Sequence, residues 1–137
     1  MSYEYFEHRA DIGIRGIGEN IKEAFEQIAM ALFAIMVEIQ EVEKKEIEKV
    51  TVEGLDYEEL LIAWLSELLY LKDVGNKMYS KFHILEIEKT SLNAEILGEK
   101  IDLKKHKLKL EVKAATWTQL EVKKYNDKWI VQCVVDV

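Results

Sequence analysis

The residues best placed to do chemistry lie at the two ends of the chain. Near the start, Glu7-His8-Arg9-Ala10-Asp11-Ile12-Gly13-Ile14 leaves the Asp11 carboxylate where a strand-like opening breaks at Gly13. At the other end, Asp136 is followed by Val137 with its α-carboxylate. If the fold joins these ends, three anionic groups converge. Such a cluster is tolerable only when it is exposed, protonated or holding a cation. Oxygen donors from separate strands suit Ca2+, Mg2+ or Mn2+ better than zinc. The alternative is two unrelated aspartates at strand ends. Lys113, in Glu-Val-Lys-Ala-Ala-Thr-Trp, reads as a solvated strand residue or as support for such a site. His8 and His106 have no second ligand at helical spacing and read as hydrogen-bonded structural or surface histidines, with His8, like Lys113, also a candidate for partner contact or support of the site.

The motifs of covalent chemistry are missing. The chain has no Gly-x-Ser-x-Gly, no phosphate loop ending in Lys-Ser/Thr, and no cysteine and histidine at zinc-site spacing. Gly13, Gly16 and Gly18 lead into acidic Glu19, so they read as turn glycines rather than a phosphate cradle. No catalytic residue is assigned.

A chain of 137 residues fits one domain with a real core. It is 49% hydrophobic and 33% charged, with six glycines and no proline, so no stretch reads as a linker. The single Cys133 sits in the apolar run Val-Gln-Cys-Val-Val and reads as a buried, inert thiol. One cysteine permits no internal disulfide, which favours a reducing compartment. The opening Ser2-Tyr3-Glu4-Tyr5 lacks the basic and apolar stretches of a secretory signal, and no apolar run approaches the roughly 18 residues that span a bilayer. A cytoplasmic protein away from membranes is the expectation. The net charge of −7, from 26 acidic and 19 basic residues, argues against nonspecific binding to a nucleic-acid backbone. Lys104-Lys105-His106-Lys107 and Lys123-Lys124 read as solvated turns. Any RNA in this protein's work would be held by a partner.

The elements that must position these residues follow from periodicity. Tyr3 and Tyr5 alternate with Glu4 and Phe6, a strand to which His8 is joined on the tyrosine side. Ile12, Ile14 and Ile17 give a second short strand or hairpin. Asn20 and Glu23 form a capping box for a helix reaching about Glu38, with Ile21, Ala24, Phe25, Ile28, Leu32, Ile35 and Met36 on its apolar face. A strand is expected near residues 45–53. Asp56 and Glu59 cap a second helix that ends near Lys72, striped by Leu60, Leu61, Trp64, Leu65, Leu68 and Leu69. From Phe82 the chain reads as nearly all strand. Residues 84–89 and 92–98 form a hairpin, and Leu108, Leu110 and Val112 alternate in a further strand. A bend is expected near Ala114-Ala115, then Leu120 and Val122, a turn at 125–128, and a closing strand over 129–135. The class is α+β: two helices on one face of a largely antiparallel, mixed sheet, forming one domain over residues 1–137.

These segments, in this order, resemble the archease family. Archeases carry Glu-His-Thr-Ala-Asp-Ile-Gly near the start, matched by Glu7 to Gly13. Their Glu-Leu-Leu-x-x-Trp-Leu-x-Glu-Leu-Leu is matched by Glu59 to Leu69, and their Gly-Glu-x-x-Asp-x-x-Lys-His by Gly98 to His106. Val-Lys-Ala-x-Thr-Tyr-His becomes Val112-Lys113-Ala114-Ala115-Thr116-Trp117-Thr118, and the near-terminal aspartate is Asp136. The resemblance implies a protein cofactor of the RtcB-type RNA ligase, which joins split tRNA exons. It would promote guanylylation of the ligase and multiple turnover, and would meet tRNA only through that partner. It also implies a metal ion held by Asp11, Asp136 and the Val137 carboxylate, with Lys113 nearby. Two departures stand out: Arg9 replaces the family threonine, and Trp117-Thr118 replaces Tyr-His. Two other functions are compatible with the residues. One is a general chaperone-like interaction module, indifferent to Asp11; the other is a metal-dependent phosphoesterase, which would need a base or nucleophile that the chain does not display.

Overall fold

The computed structural model describes all 137 residues and contains two helices and eight strands. Strands β1 (Ser2–His8) and β2 (Asp11–Gly18) form an antiparallel hairpin. The break falls at Arg9-Ala10 rather than at Gly13, and Arg9 adopts a left-handed φ of 54° to close the turn. Gly13, Gly16 and Gly18 therefore lie inside a strand, not in turns. At Gly16 the reason is close approach: a Cβ there would stand 2.2 Å from the Ala24 carbonyl oxygen and 2.5 Å from the Ile28 nitrogen. Helix α1 (Ile21–Ala34) lies directly on this strand.

Both capping boxes form. The Asn20 side chain accepts the Glu23 N–H at 2.9 Å, and the Asp56 carboxylate accepts the Glu59 N–H at 2.9 Å to start α2 (Tyr57–Gly75). Helix α1 stops at Ala34, short of the expected Glu38, because the backbone of residues 35–38 turns to pair with another segment. Glu38, Lys109 and Leu110 donate N–H bonds to Lys107, Met36 and Ile35 respectively, at 2.8–3.1 Å. The Leu108, Leu110 and Val112 stretch is thus a brace across the end of α1, not the sheet strand its alternation suggests. Helix α2 runs past Lys72 to Gly75 and ends on Asn76, whose φ of 52° is a left-handed cap.

Strands β3 (Glu46–Glu53), β4 (Lys77–Glu88) and β5 (Ser91–Lys100) form one sheet in the order β3-β5-β4. Strand β4 begins well before the expected residue 84. The short β6 (Ala114–Ala115), β7 (Glu121–Tyr125) and β8 (Lys128–Asp136) join β1 and β2 in a five-stranded sheet, where β6 and β7 share one flank of β8. The interruption between them, at residues 116–120 with Gln119 at φ 56°, is the expected bend, slightly displaced along the chain. Asn126 and Asp127, both at positive φ, make the tight β7–β8 turn.

The α+β class holds, and every strand pairing is antiparallel, with no parallel component. The expected single sheet divides into two, joined by the helices. Helix α1 touches both β2 and β4, and Trp64 on α2 donates its indole N–H to the Phe25 carbonyl at 3.1 Å. Phe33, Tyr79, Phe82 and Trp64 stack edgewise or at a tilt between the helices and β4. One buried cluster draws on both helices and both sheets, so the chain has a single core. No helix is long and apolar enough to cross a membrane.

Candidate functional site

Strand pairing brings the turn of the first hairpin beside the last residues of the chain. In the β2–β8 ladder the last paired residues at this end are Ile12 and Val135, so Asp11 and Asp136 stand next to each other just beyond them. On one flank His8 pairs with Asp11 across the first hairpin. On the other, Ala114 pairs with Asp136, and Lys113 donates its backbone N–H to the Asp136 carbonyl at 2.7 Å. His8, Asp11 and Asp136 thus form one cross-strand row. Alternation sets the face of that row. Ile12, Val135 and Val137 pack with the core, which leaves Asp11 and Asp136 on the face turned away from the helices. His8 shares that face with Glu4 and Phe6, not with Tyr3 and Tyr5 as first expected.

Asp11 is half-buried, Asp136 and Lys113 are exposed, and Val137 is half-buried. None of the four takes part in any of the protein's side-chain ion pairs. Arg15, four residues along β2 on the same face as Asp11, is committed elsewhere: it pairs with Glu4 at 2.8 Å, hydrogen-bonds Gln132 at 2.8 Å and lies 4.8 Å from the Phe6 ring centre. His8 carries a buried Nδ1 that finds no hydrogen-bond partner, an exception that calls for a water or an ion.

The chain offers no cluster of three His, Cys, Asp or Glu side chains at metal-ligand spacing. The expected donor set contains only two such residues, Asp11 and Asp136, and takes its third donor from the Val137 carboxylate. All three would be oxygen donors, and neither aspartate forms an ion pair with a side chain. Oxygen donors of this kind would suit a hard divalent ion better than the nitrogen and sulfur donors of a closed zinc site.

A second carboxylate constellation was not foreseen. Glu99, near the end of β5, is 6% exposed and His106 is 3% exposed. His106 Nδ1 accepts the Asp102 N–H at 2.9 Å, so the ring is the Nε2–H tautomer and donates to Glu99 at 2.8 Å. Glu99 also accepts the Glu43 N–H and the Lys105 ammonium, each at 2.8 Å. Burial alone pushes its carboxyl upward, but these donors prevail and hold it down at about 2. The sequence contained one signal, the Gly98-Glu99 to His106 motif, in which His106 was read without its partner. Cys133 behaves as expected: burial pushes its thiol up to about 12, so it is not a nucleophile at neutral pH.

With this geometry in view, the likenesses to known proteins are informative. The model of the Archease protein family matches residues 3–137. A protein archease of Pyrococcus abyssi is 45% identical, with 98% of each chain covered. One from Sulfurisphaera tokodaii is 40% identical over 100% of this chain and 99% of its own. The solution structure of Methanobacterium thermoautotrophicum protein 1598 superposes with a TM-score of 0.82 at 29% identity, covering 99% of both chains. A Thermotoga maritima archease described as a possible chaperone has the same fold, with a TM-score of 0.58, 17% identity and coverage of 98% and 96%. A small α+β domain whose two sheets are bridged by two helices, with the strand after its first turn paired to its last strand, defines the class. This chain belongs to the archease family.

Proposed function

We propose that this protein is a non-enzymatic accessory factor of an RtcB-type tRNA-splicing RNA ligase, promoting its guanylylation and multiple turnover. The observation that carries the reading is the meeting of Asp11 and Asp136 at one end of the sheet, with no side-chain cation spent on either. No serine, threonine or cysteine nucleophile stands in the His8, Asp11 and Asp136 row, and the one thiol is buried. The chemistry therefore belongs to the partner. Asp11, Asp136 and the Val137 carboxylate would hold a divalent ion, Ca2+, Mg2+ or Mn2+, whose charge would face the anionic groups of a nucleotide. Lys113, anchored through its backbone to Asp136 just ahead of β6, offers a second positive charge in an exposed position. The role of the scaffold is to keep these groups fixed in a rigid ladder while the ligase passes through its guanylylated state. Such a protein would work in the cytoplasm and meet tRNA only through the ligase.

The test uses the ligase from the same cell. Guanylylation and multiple-turnover ligation are measured as the protein is titrated in, for wild type, Asp11→Ala and Asp136→Ala. Wild type is expected to stimulate both steps, and each variant is expected to lose about tenfold or more of that stimulation, since losing even a group that only orients a metal ligand costs that much. Full stimulation by both variants would overturn the reading.

The description of the Thermotoga relative supports a second reading, a chaperone-like module. It predicts suppression of aggregation of several unrelated clients, unaffected by Asp11→Ala. The same pair of variants separates the two.

A further inference from the structure

The outer flank of β1 is unpaired. The strand joins β2 on one side only and forms the free edge of the five-stranded sheet. Its register runs unbroken through seven pairs from Ser2 to His8, without a bulge. The devices that usually block such an edge are charged side chains, proline, a bulge or a covering loop. The only ones β1 carries are the acidic Glu4 and Glu7, which do not repel a basic strand. β1 contains no lysine or proline, and the elements that chiefly pack against it are β2 and α1.

Beside this edge lies a cleft of about 390 Å3, lined by Tyr5, Phe6, Glu7, Asp11, Ile12 and Ile35. Tyr5 donates its hydroxyl to the Ala31 carbonyl at 2.8 Å, which fixes the ring as one wall, yet the residue stays 41% exposed. Glu7 shares the face of Tyr5 by alternation, is exposed and has no ion-pair partner. Glu4, the other carboxylate of the strand, is already paired with Arg15. The cleft thus offers an apolar floor and uncompensated acidic residues, with no lysine or arginine in its lining.

We propose that the β1 edge is a docking site for an extended, basic segment of a partner protein, which adds to the sheet as an antiparallel or parallel strand. Main-chain hydrogen bonds along β1 would supply affinity. A lysine or arginine would enter the cleft with its methylene stem on Tyr5, Ile12 and Ile35 and its charge on Glu7. A second copy of this chain is a poorer occupant. Its own β1 carries Glu4 and Glu7 and no cation, so self-pairing leaves Glu7 uncompensated among like charges.

The experiment uses the full chain and a short fluorescein-labelled peptide alternating arginine and valine, followed by anisotropy and by amide hydrogen exchange. The expected result is saturable binding with slowed exchange confined to β1. Glu7→Lys is expected to weaken binding about tenfold, whereas Glu88→Lys, an equal charge change at the far end of β4, leaves it unchanged. Several outcomes would overturn the proposal: equal weakening by both variants, equal binding of a same-charge peptide with proline in place of valine, or no protection of β1. Dimerisation through β1 without peptide, seen by sedimentation, would assign the edge to a second copy instead. Neither ligase nor metal is present, so this outcome is independent of the accessory-factor reading.

Discussion

Glu99 and the Asp11–Asp136 pair are carboxylates at strand ends, and the protein treats them in opposite ways. Glu99 is buried and surrounded by donors: a backbone N–H, an imidazole N–H and an ammonium, with the Lys45 ammonium farther off at 3.5 Å. Asp11 and Asp136 stand side by side with no cation between them, on a face that the core does not use. The first arrangement consumes the charge inside the fold. It ties the turn at residues 102–106 to residue 43 and to the end of β5. The second leaves two like charges for something outside the molecule to neutralise. A buried carboxylate must be satisfied by its own protein, whereas a pair still open to solvent on one side can wait for a ligand.

The sharpest way to break this contrast is to remove Glu99. Glu99→Ala leaves the His106 Nε2–H and the Glu43 N–H without their acceptor and the Lys105 ammonium without its partner. The expected loss is about 3 kcal/mol, read from the midpoint of urea unfolding. Acid gives the same answer by another route. The Glu99 carboxyl is held below its unfolded value of 4.5, so its contribution is complete above that pH and disappears as the pH falls toward about 2. Glu99→Gln should flatten that part of the stability profile. An unchanged acid transition in Glu99→Gln would show that the network is ornamental to stability.

The helices were legible because both the capping boxes and the apolar spacing are local properties, and Asn20 and Asp56 do what their sequence positions predict. The segment around Leu108 and Leu110 was misleading for a physical reason. Alternation reports an extended chain, and extended chain can pair with a helix end as well as with a sheet; here residues 107–110 bond to 35–38. The division into two sheets was hidden because strand partners are chosen by the core, far along the sequence. Asp11 and Asp136 could be picked out as a candidate pair, but only the β2–β8 register brings them side by side. Glu99 was missed as a functional group because its partners come from residues 43, 105 and 106, and only the folded turn gathers them.

The other side of the contrast predicts a response to metal. If Asp11, Asp136 and Val137 hold a divalent ion, adding Ca2+ or Mn2+ at about 100 times its dissociation constant should stabilise the folded state by about 2.7 kcal/mol. Differential scanning calorimetry would show this as a rise in melting temperature. Asp136→Asn should abolish the rise and leave the Glu99-dependent acid transition where it was. A metal-induced shift of equal size in Asp136→Asn would place the ion elsewhere.

The smallest effect carries the sign that matters most. Without divalent ions, Asp11→Asn removes one of two like charges facing each other across the ladder, so it should stabilise the protein by a few tenths of a kcal/mol. Salt should erase the gain, because ions screen exposed charges over about 8 Å at physiological strength. Glu99→Gln, tested alongside at neutral pH, should move stability the other way. A loss of about 1 kcal/mol or more in Asp11→Asn would mean that this carboxylate, like Glu99, is already bound by its own protein. The chain ends would then be a structural clasp, with no reason left to expect an external cation.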